Sequence, residues 1–363
     1  MKFAKKIAMF SACCAVIFNH SVSADSSSRP VNGPASSYAG SITAEEWDSF
    51  SSSFMTAEGR VTDTANADIS HSEGQGYGLL LAWKAGDRED FERIWTFTRR
   101  EMQIRNDGLF AWKWDPAASP RITDVNNATD GDILIAYALD AAGQQWSRGD
   151  YMSYSASILR SLQPDLLPKR SGMTLIIPGK NGFENDGNVT LNPSYWVFEA
   201  LSHFSHTDQS GPWSRARISG YAILSEWLHS GASEAPPEWL SLSDDGRVSG
   251  SATSGSGFGY NALRVPLYVV RDGQKTSSDI ARMASSMVDE DGNLTLRSAD
   301  GEITEILSDT GYKALASLIR CSIIGESEGS IPKFSPTDYY PSVIHLLTLS
   351  AARTKAPECV TGK

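Results

Sequence analysis

The chain has 363 residues with a formal net charge of −11, and its composition is that of an ordinary globular protein enriched in Trp (10) and Tyr (12). A chain of this length can bury one large core or two smaller ones. So acidic a protein is repelled by the phosphates of nucleic acids and by anionic membranes, so we expect neither as a partner and favour a neutral or cationic ligand.

The first 24 residues are typical of a secretory signal peptide. Three lysines precede an apolar run over residues 7–18, and Val22-Ser23-Ala24 offers a cleavage site. Cleavage there would change the net charge from −11 to −14, because it removes those lysines. The run is too short to cross a bilayer, and no later segment approaches the ~18 apolar residues that a membrane helix requires. We expect a secreted or periplasmic protein with no membrane association after cleavage; a lipoprotein attached through Cys13 is the weaker alternative.

Cys321 and Cys359 are the two cysteines outside the signal. In an oxidising compartment they could form one disulfide near the C-terminus, or remain as one buried and one exposed thiol. Sequence alone leaves both alternatives open.

The remaining chain reads as a leader followed by a helical domain. Residues 25–42 are rich in Ser, Gly and Pro, which is typical of a flexible leader. Thr43 then predicts a helix cap, and no linker divides residues 43–363, so we predict a single catalytic domain and a monomer. Helical patterns follow Thr43 and recur at 73–85, 88–104, 130–142, 148–163, 193–206, 213–230, 260–271, 276–288, 306–322 and 338–352.

Long connections separate several of these helices, and we expect short strands in them. Helices joined by long loops that carry the chemistry suggest an α/α toroid, whereas the lack of a fixed-period repeat leaves a solenoid without support.

Glu73 lies between a Ser/Gly cluster and an apolar helix, in "HSEGQGYG". Gly74, Gly76 and Gly78 predict room beside its carboxyl group for another molecule. The alternative is a helix-start acid that interacts only with the helix dipole.

Asp130 and Asp132 open the apolar helix of "NNATDGDILIAYALDAAG". Either Thr129 or Asp130 would serve as its N-cap. Acids two residues apart point in different directions on a helix, so one of the pair is left for function.

Aromatic residues in loops indicate a carbohydrate ligand, because sugar rings stack their C–H faces on aromatic rings. "LFAWKWDP" contains Trp112 and Trp114, and "NPSYW" contains Tyr195 and Trp196. The alternative is that these rings belong to the core. The segment "GFGYNALRVP" adds a helix start whose polar residues are Tyr260, Asn261 and Arg264.

No motif in the sequence supports a metal site, a catalytic nucleophile or a nucleotide-binding site. His203 and His206 have helical spacing but no third ligand in an accepted metal motif, and no nucleophile elbow, phosphate-binding loop or dinucleotide fingerprint is present. We therefore expect no metal and no cofactor.

These motifs together resemble glycoside hydrolase family 8, the bacterial endoglucanase family. The run from Ala128 to Asp132, with the small and apolar residues that follow it as far as Trp146, resembles the family signature, and only Asp140 departs from it. "SEGQGYGLLLA", "AWKW" and "NPSY" resemble its acid-bearing helix start, aromatic loop and tyrosine loop. The landmarks keep the family's order from Glu58 to Tyr340, nearly the whole mature chain.

The resemblance implies an (α/α)6 barrel of six inner and six outer helices that hydrolyses β-1,4-linked polysaccharide with inversion. Glu73 falls on the general acid position, and Asp130 matches the signature aspartate that either activates water or holds the sugar. Inversion requires a second carboxylate about 6.5–9.5 Å from the acid. The residues that we assign to substrate binding are Trp112, Trp114, Asp124, Asp132, Tyr195, Tyr260, Asn261 and Arg264.

One position departs from the pattern. Many members carry the aspartate base directly after the tyrosine, where this chain has Asn261, although a branch of the family shares the substitution. An amide cannot accept a proton at neutral pH. We therefore favour Asp130 as the base, with Glu184, Asp186 and Asp124 as further candidates in that order.

The predicted function is a secreted endo-β-1,4-glucanase (cellulase). A chitosanase, xylanase or mixed-linkage glucanase of the same family is an alternative. A glycan-binding relative that lost hydrolysis at Asn261 is another.

Overall fold

The computed structural model describes residues 40–185, 187–231, 233–251, 257–273, 277–326 and 331–361. The helices are, in chain order, α1 (Ala44–Phe54), α2 (Ser72–Ala85), α3 (Arg88–Met102), α4 (Thr129–Trp146), α5 (Gly149–Leu166), α6 (Phe198–Thr207), α7 (Trp213–His229), α8 (Arg264–Asp272), α9 (Ser278–Ser285), α10 (Thr310–Ile319), α11 (Tyr339–Lys355) and α12 (Glu358–Thr361). The predicted helices therefore recur in order, most with bounds shifted by a few residues. None in the described ranges is both long and apolar enough to span a membrane.

Two kinds of helix differ in how they are buried. In α2, 12 of 14 residues are buried, so the helix is enclosed on all sides. In α3, 7 of 15 residues are buried and the others are largely charged, which is the pattern of a surface helix. Helices α2, α4, α6, α8, α10 and α11 pack against one another in that order and close a ring, and we call them the inner helices.

The other layer flanks this ring. Helices α1 and α3 pack outside α2, α5 packs outside α4, and α7 packs outside α6. Helix α9 packs beside α7. Between α10 and α11, residues 325–326 and 331–338 are irregular. The predicted toroid of inner and outer helices is confirmed, and the outer layer is the less regular of the two.

Helix starts follow the predicted capping chemistry in part. Thr43 Oγ1 accepts from the Glu46 amide at 3.2 Å, while Glu46 accepts from the Thr43 amide at 2.9 Å, which completes a capping box. The predicted cap of α4 is wrong: Thr129 is already helical, and its hydroxyl donates to the Ile177 carbonyl at 2.6 Å. Ser41 and Ile42, the last two residues of the predicted leader, are buried. The predicted signal peptide and residues 25–39 lie outside the described residues.

Short antiparallel strands decorate the loops, as predicted. Strand β1 (Ser70–His71) pairs with β2 (Lys113–Trp114) immediately before α2. The other strands are β3 (Lys169–Arg170), β4 (Met173–Thr174), β5 (Glu184–Asn185), β6 (Asn188–Leu191), β7 (Leu240–Ser243), β8 (Val248–Gly250), β9 (Thr295–Arg297) and β10 (Ile303–Ile306). Strands β5 to β8 form one sheet in sequence order, β3 pairs with β4, and β9 pairs with β10.

A disulfide joins Cys321 to Cys359. It links the π-helical turn Arg320–Ile324, which extends α10, to the short α12 that follows α11. Of the two alternatives that the sequence left open, the structure therefore shows the bridge.

Candidate active site

The inner helices present their N-terminal ends to one face of the barrel. Glu73 and Asp130 each occupy the second position of an inner helix, and Arg264 is the first residue of α8. Tyr195 ends a 3-10 turn (Pro193–Tyr195) just before α6. The ring of helices thus brings residues from distant parts of the chain to one end, where the unpaired amides and helix dipoles favour negative charge.

An open cleft of about 650 Å³ lies at this face. Glu73, His71 and Arg264 line its floor, and tyrosines and further carboxylates form its walls. Those wall residues include Asp63, Tyr260, Asn261, Glu305, Asp309, Tyr312, Asp338, Tyr339 and Tyr340. A cleft lined by aromatic and acidic groups matches the carbohydrate ligand that the sequence predicts.

Glu73 has one oxygen engaged and the other available. Its Oε1 accepts from Tyr77 Oη at 3.0 Å and from Arg264 Nη1. Its Oε2 lies 4.0 Å from His71 Nδ1, and the side chain is 17% exposed. The three glycines that follow it do not leave space for a ligand, because added Cβ atoms at Gly76 and Gly78 would meet Leu134 and Val61 at 2.6 Å. The glycines instead let neighbouring helices and loops approach α2 closely.

Arg264 contacts several residues of the site. It is buried, and its guanidinium contacts Glu73 through Nη1 and the Ser194 hydroxyl through Nη2 at 2.7 Å. Nη2 also donates to Asn261 Oδ1 at 3.0 Å and lies 3.6 Å from Asp130 Oδ2. A planar guanidinium can hold several acceptors in a fixed geometry, so this residue fixes both carboxylates relative to each other.

Asp130 is 3% exposed, and its Oδ1 accepts from the Gly131 amide at 2.8 Å. Burial and the negative charge of Glu73 raise the pKa of Asp130 to about 7, against the opposing charge of Arg264. A carboxylate with such a pKa can take up a proton near neutral pH, which is the property of a general base.

Asp132 differs from Asp130 in its hydrogen-bond partners. It is fully buried and accepts from the Phe110 amide at 3.0 Å and from Asn127 Nδ2 at 2.9 Å. Burial raises the pKa of Asp132 to about 7. Its assignment to substrate binding is not supported, because both of its oxygens hold the loops beneath the site.

The remaining predicted residues, on the tyrosine loop and just before α8, lie at the site. Tyr195 is partly buried, and burial together with the charge of Asp130 raises its pKa well above the ordinary value. Tyr260 is 42% exposed, and its hydroxyl lies 3.0 Å from both oxygens of Glu305. The amide oxygen of Asn261 accepts a hydrogen bond from Arg264, and an amide does not act as a base.

The aromatic loop borders the acid-bearing helix. The Trp112 carbonyl accepts from the Ser72 amide at 2.9 Å, and its indole donates to Asp124 at 2.8 Å. Trp114 is held by Phe97 and by the guanidinium groups of Arg60 and Arg121, which lie 4.9 and 5.3 Å from its ring. The ring of Trp114 therefore packs against other side chains of the protein and is not a free stacking platform for a sugar.

The alternative bases are not gathered with Glu73. Asp124 is exposed, and hydrogen bonds from the Asn126 amide and Trp112 lower its pKa, which makes it a weaker proton acceptor. Glu184 is exposed and forms an ion pair with Arg170 at 3.0 Å. Asp186 lies outside the described residues.

Sequence reasoning missed several residues at the site. His71 and Tyr77 flank Glu73, Ser194 binds Arg264, and Glu238 accepts from the Asn261 amide at 2.8 Å. His71 and Tyr77 carried a local signal, since they lie two residues before and four residues after Glu73, and Ser194 directly precedes Tyr195. Glu238 is brought in by the fold from a separate part of the chain.

Comparisons with known proteins identify the family of this chain. The model of the family described as glycosyl hydrolases family 8 matches residues 34–352. An endoglucanase of Cellulomonas uda is 35% identical over 61% of this chain and 62% of its own length, and a probable endoglucanase of Novacetimonas hansenii is 37% identical over 62% and 66%. The chain therefore spans somewhat less than two thirds of the length of these relatives.

A solved structure extends the match over most of the fold. The endo-β-1,4-glucanase of Acetobacter xylinum superposes with a TM-score of 0.77 and 30% identity, covering 88% of this chain and 99% of that one. Because the family model covers most of the chain, this protein belongs to glycosyl hydrolases family 8.

Proposed function

We propose that this protein is an endo-acting β-1,4-glucanase that hydrolyses cellulose-type chains with inversion at the anomeric carbon. The observation that carries the proposal is the shared contact of Glu73 and Asp130 with Arg264 at the inner helix ends of a family 8 barrel. The similarity to an endoglucanase and to an endo-β-1,4-glucanase supports the same substrate class.

Glu73 is the proposed general acid. Its Oε1 is occupied by Tyr77 and Arg264, so Oε2 is the oxygen that carries the transferred proton. As the glycosidic C–O bond breaks, this proton passes to the departing oxygen. Protonation lets the leaving sugar depart as a neutral alcohol.

Asp130 is the proposed general base. It takes one proton from a water molecule while the water oxygen forms a bond to the anomeric carbon from the opposite face. The products are two shorter chains, with the water's second proton retained on the new hydroxyl. Glu73 must then regain a proton and Asp130 must lose one before the next turnover.

Aromatic groups supply the proposed sugar-binding surfaces. Phe183 stacks on Trp239 with ring centroids 5.9 Å apart, and Trp239 lies 6.4 Å from Tyr195. Tyr260, Tyr312 and Tyr340 form a second group with centroids 6.3–6.4 Å apart. We propose that a glucan chain lies across both groups. We further propose that the protein acts as an exported monomer, with its N-terminal segment removed as a signal peptide.

The substitution Glu73→Gln tests the assignment. It keeps the size of the side chain but removes the transferable proton, so release of reducing ends from a soluble cellulose derivative should fall by about 10²–10⁴-fold. Circular dichroism should show an unchanged fold, and nuclear magnetic resonance of the first wild-type products should show the α-anomer. Full activity in the variant would exclude the assignment. Tight binding of cello-oligosaccharides without turnover by the wild type would favour a binding protein instead.

A further inference from the structure

His71 lies at the end of β1, directly before the helix that carries the proposed acid. Its Nδ1 accepts from the Gly74 amide at 3.0 Å and so caps α2. A ring nitrogen that accepts a hydrogen bond carries no proton, so the neutral ring is protonated on Nε2. Nε2 lies 3.6 Å from Asp63 Oδ2, which favours the same tautomer.

The capping nitrogen also lies beside the reactive oxygen. Nδ1 is 4.0 Å from Glu73 Oε2, which is the oxygen left free by Tyr77 and Arg264. The edge of the Tyr339 ring packs on the imidazole with centroids 5.8 Å apart. The imidazole is therefore held on three sides and has little freedom to turn.

We propose that His71 is a positioning residue for Glu73, that Asp63 aligns it, and that glycoside cleavage requires its neutral form. The proposal rests on the proposed function of Glu73 as general acid. Protonation of Nδ1 replaces an acceptor with a donor, so the Gly74 amide loses its partner. The new N–H then faces Glu73 Oε2 and stabilises the carboxylate at the position where the acid must carry its own proton.

Charges around the ring decide when it is protonated. Burial opposes the imidazolium, yet the close Asp63 carboxylate and the negative charges of Glu73 and Asp130 together raise the pKa of His71. Arg264 on α8 is bound to Glu73, and Tyr339 on α11 packs against the ring. The charge of His71 in turn lowers the pKa of Asp130, so the two groups titrate as neighbours.

The first test is the pH dependence of kcat/KM for wild type and His71→Asn on a soluble cellulose derivative. Asparagine is a good N-cap but does not titrate, so the variant keeps the cap and loses the ionisation. In wild type, both His71 and Asp130 must lose a proton, so log(kcat/KM) should rise with a slope of about two on the acid side. The slope should fall to about one in His71→Asn, and an equal slope in both proteins would overturn the proposal.

His71→Ala separates positioning from general stability. Loss of the cap should misplace Glu73 and lower kcat by about 10–100-fold with little change in KM. His71→Asn should recover most of this loss above the pH at which His71 titrates. The matched control is Asp87→Ala, which removes the side-chain cap of α3 away from the cleft. It should destabilise the protein to a similar degree with kcat unchanged; equal kcat losses in Asp87→Ala and His71→Ala would overturn the proposal.

A measurement independent of activity reads the ring itself. In ¹⁵N-histidine-labelled protein, the resonance that disappears in His71→Asn should show the tautomer protonated on Nε2, and its pKa should fall in Asp63→Asn. A tautomer protonated on Nδ1, or a titration unaffected by Asp63→Asn, would overturn the proposal. If Glu73→Gln kept full glucanase activity, the proposed function would fail. The spectra would still report the tautomer of His71 and its interaction with Asp63, so the two failures can be distinguished.

Discussion

Asp130 shows how a single residue is prepared for chemistry by its surroundings. Its carboxyl group is nearly inaccessible, lies near a second carboxylate, and has a guanidinium 3.6 Å away. Burial and the charge of Glu73 outweigh the guanidinium, so its pKa rises to about 7. Asp124, which is exposed and hydrogen-bonded by Trp112, shows the opposite direction of shift.

The first prediction concerns the pH dependence of the rate. Asp130 must be ionised to accept a proton, and its raised pKa means that the ionised form is lost as pH falls through about 7. We expect kcat/KM on a soluble cellulose derivative to decline below this pH. A rate that stays constant down to pH ~4, the ordinary range of an aspartate, would contradict the assignment.

The second prediction distinguishes a base from a residue that only holds the sugar. Asp130→Ala should lower kcat by about 10²–10⁴-fold. Added azide should restore part of the rate, because this anion can attack the anomeric carbon without losing a proton. Detection of a glycosyl azide by mass spectrometry checks the result, and the absence of rescue would favour the sugar-holding role.

The third prediction concerns Asn261, at the position where many family members carry aspartate. Its amide oxygen accepts from Arg264 at 3.0 Å, and aspartate there would form a stronger, charge-assisted bond to the same group. If Asp130 is the base, Asn261→Asp should change kcat by no more than about tenfold. Steady-state kinetics would show this, whereas a gain of several orders of magnitude would mean that wild type lacks a working base.

At the scale of elements, the contact between α2 and α4 joins the two proposed catalytic residues. A Cβ atom at Gly131 would lie 2.3 Å from Ser72 Oγ and 2.7 Å from the Glu73 amide nitrogen. Such distances require the backbone of α2 to move. The glycine between the two acids of the signature is therefore a packing requirement, and it sets the separation of the helix ends that carry Glu73 and Asp130.

The fourth prediction uses this contact. Gly131→Ala should lower the free energy of unfolding by about 1–3 kcal/mol through overpacking and should also reduce kcat, because Glu73 is displaced. Gly149→Ala is the matched control, since its Cβ meets nothing within 4 Å and alanine favours the helix. Chemical denaturation and kinetics on both variants test the argument. An unchanged kcat in Gly131→Ala would show that the contact does not position the acid.

At the scale of the whole molecule, a disulfide joins the segments that follow the last two helices of the inner ring. Inner helix α11 packs against α10 and α2 and so closes the barrel. The Cys321–Cys359 disulfide joins the segments that follow these last two inner helices across 38 residues of chain. The bridge therefore limits separation of the last helices in the unfolded chain.

The fifth prediction follows from that loop. Replacing both cysteines with serine should lower the free energy of unfolding by about 2–4 kcal/mol, because the open loop gains entropy when the chain unfolds. Thermal unfolding of the variant and of oxidised wild type measures the difference. A melting temperature equal to that of the wild type would mean that the bridge adds no stability.

Much of the helical layout could be predicted from local signals. The helical patterns and the cap at Thr43 are properties of contiguous residues, so the helix order could be predicted correctly. The cap of α4 did not, because Thr129 uses its hydroxyl to bind the Ile177 carbonyl, 48 positions away. A local preference was overridden there by a contact that the chain makes only when folded.

The sequence by itself determined the compositional exclusions, the helix succession, the family resemblance and the position of Glu73, since each depends on residue identities along one short stretch or on their order. The tertiary structure decided which acids meet. It placed Asp130 beside Arg264, turned Asp132 into a buried acceptor, left Glu184 on the surface and set His71 against Glu73. Side-chain burial and charge environment depend on segments from six inner helices converging on one face, and no local pattern in the chain encodes that convergence.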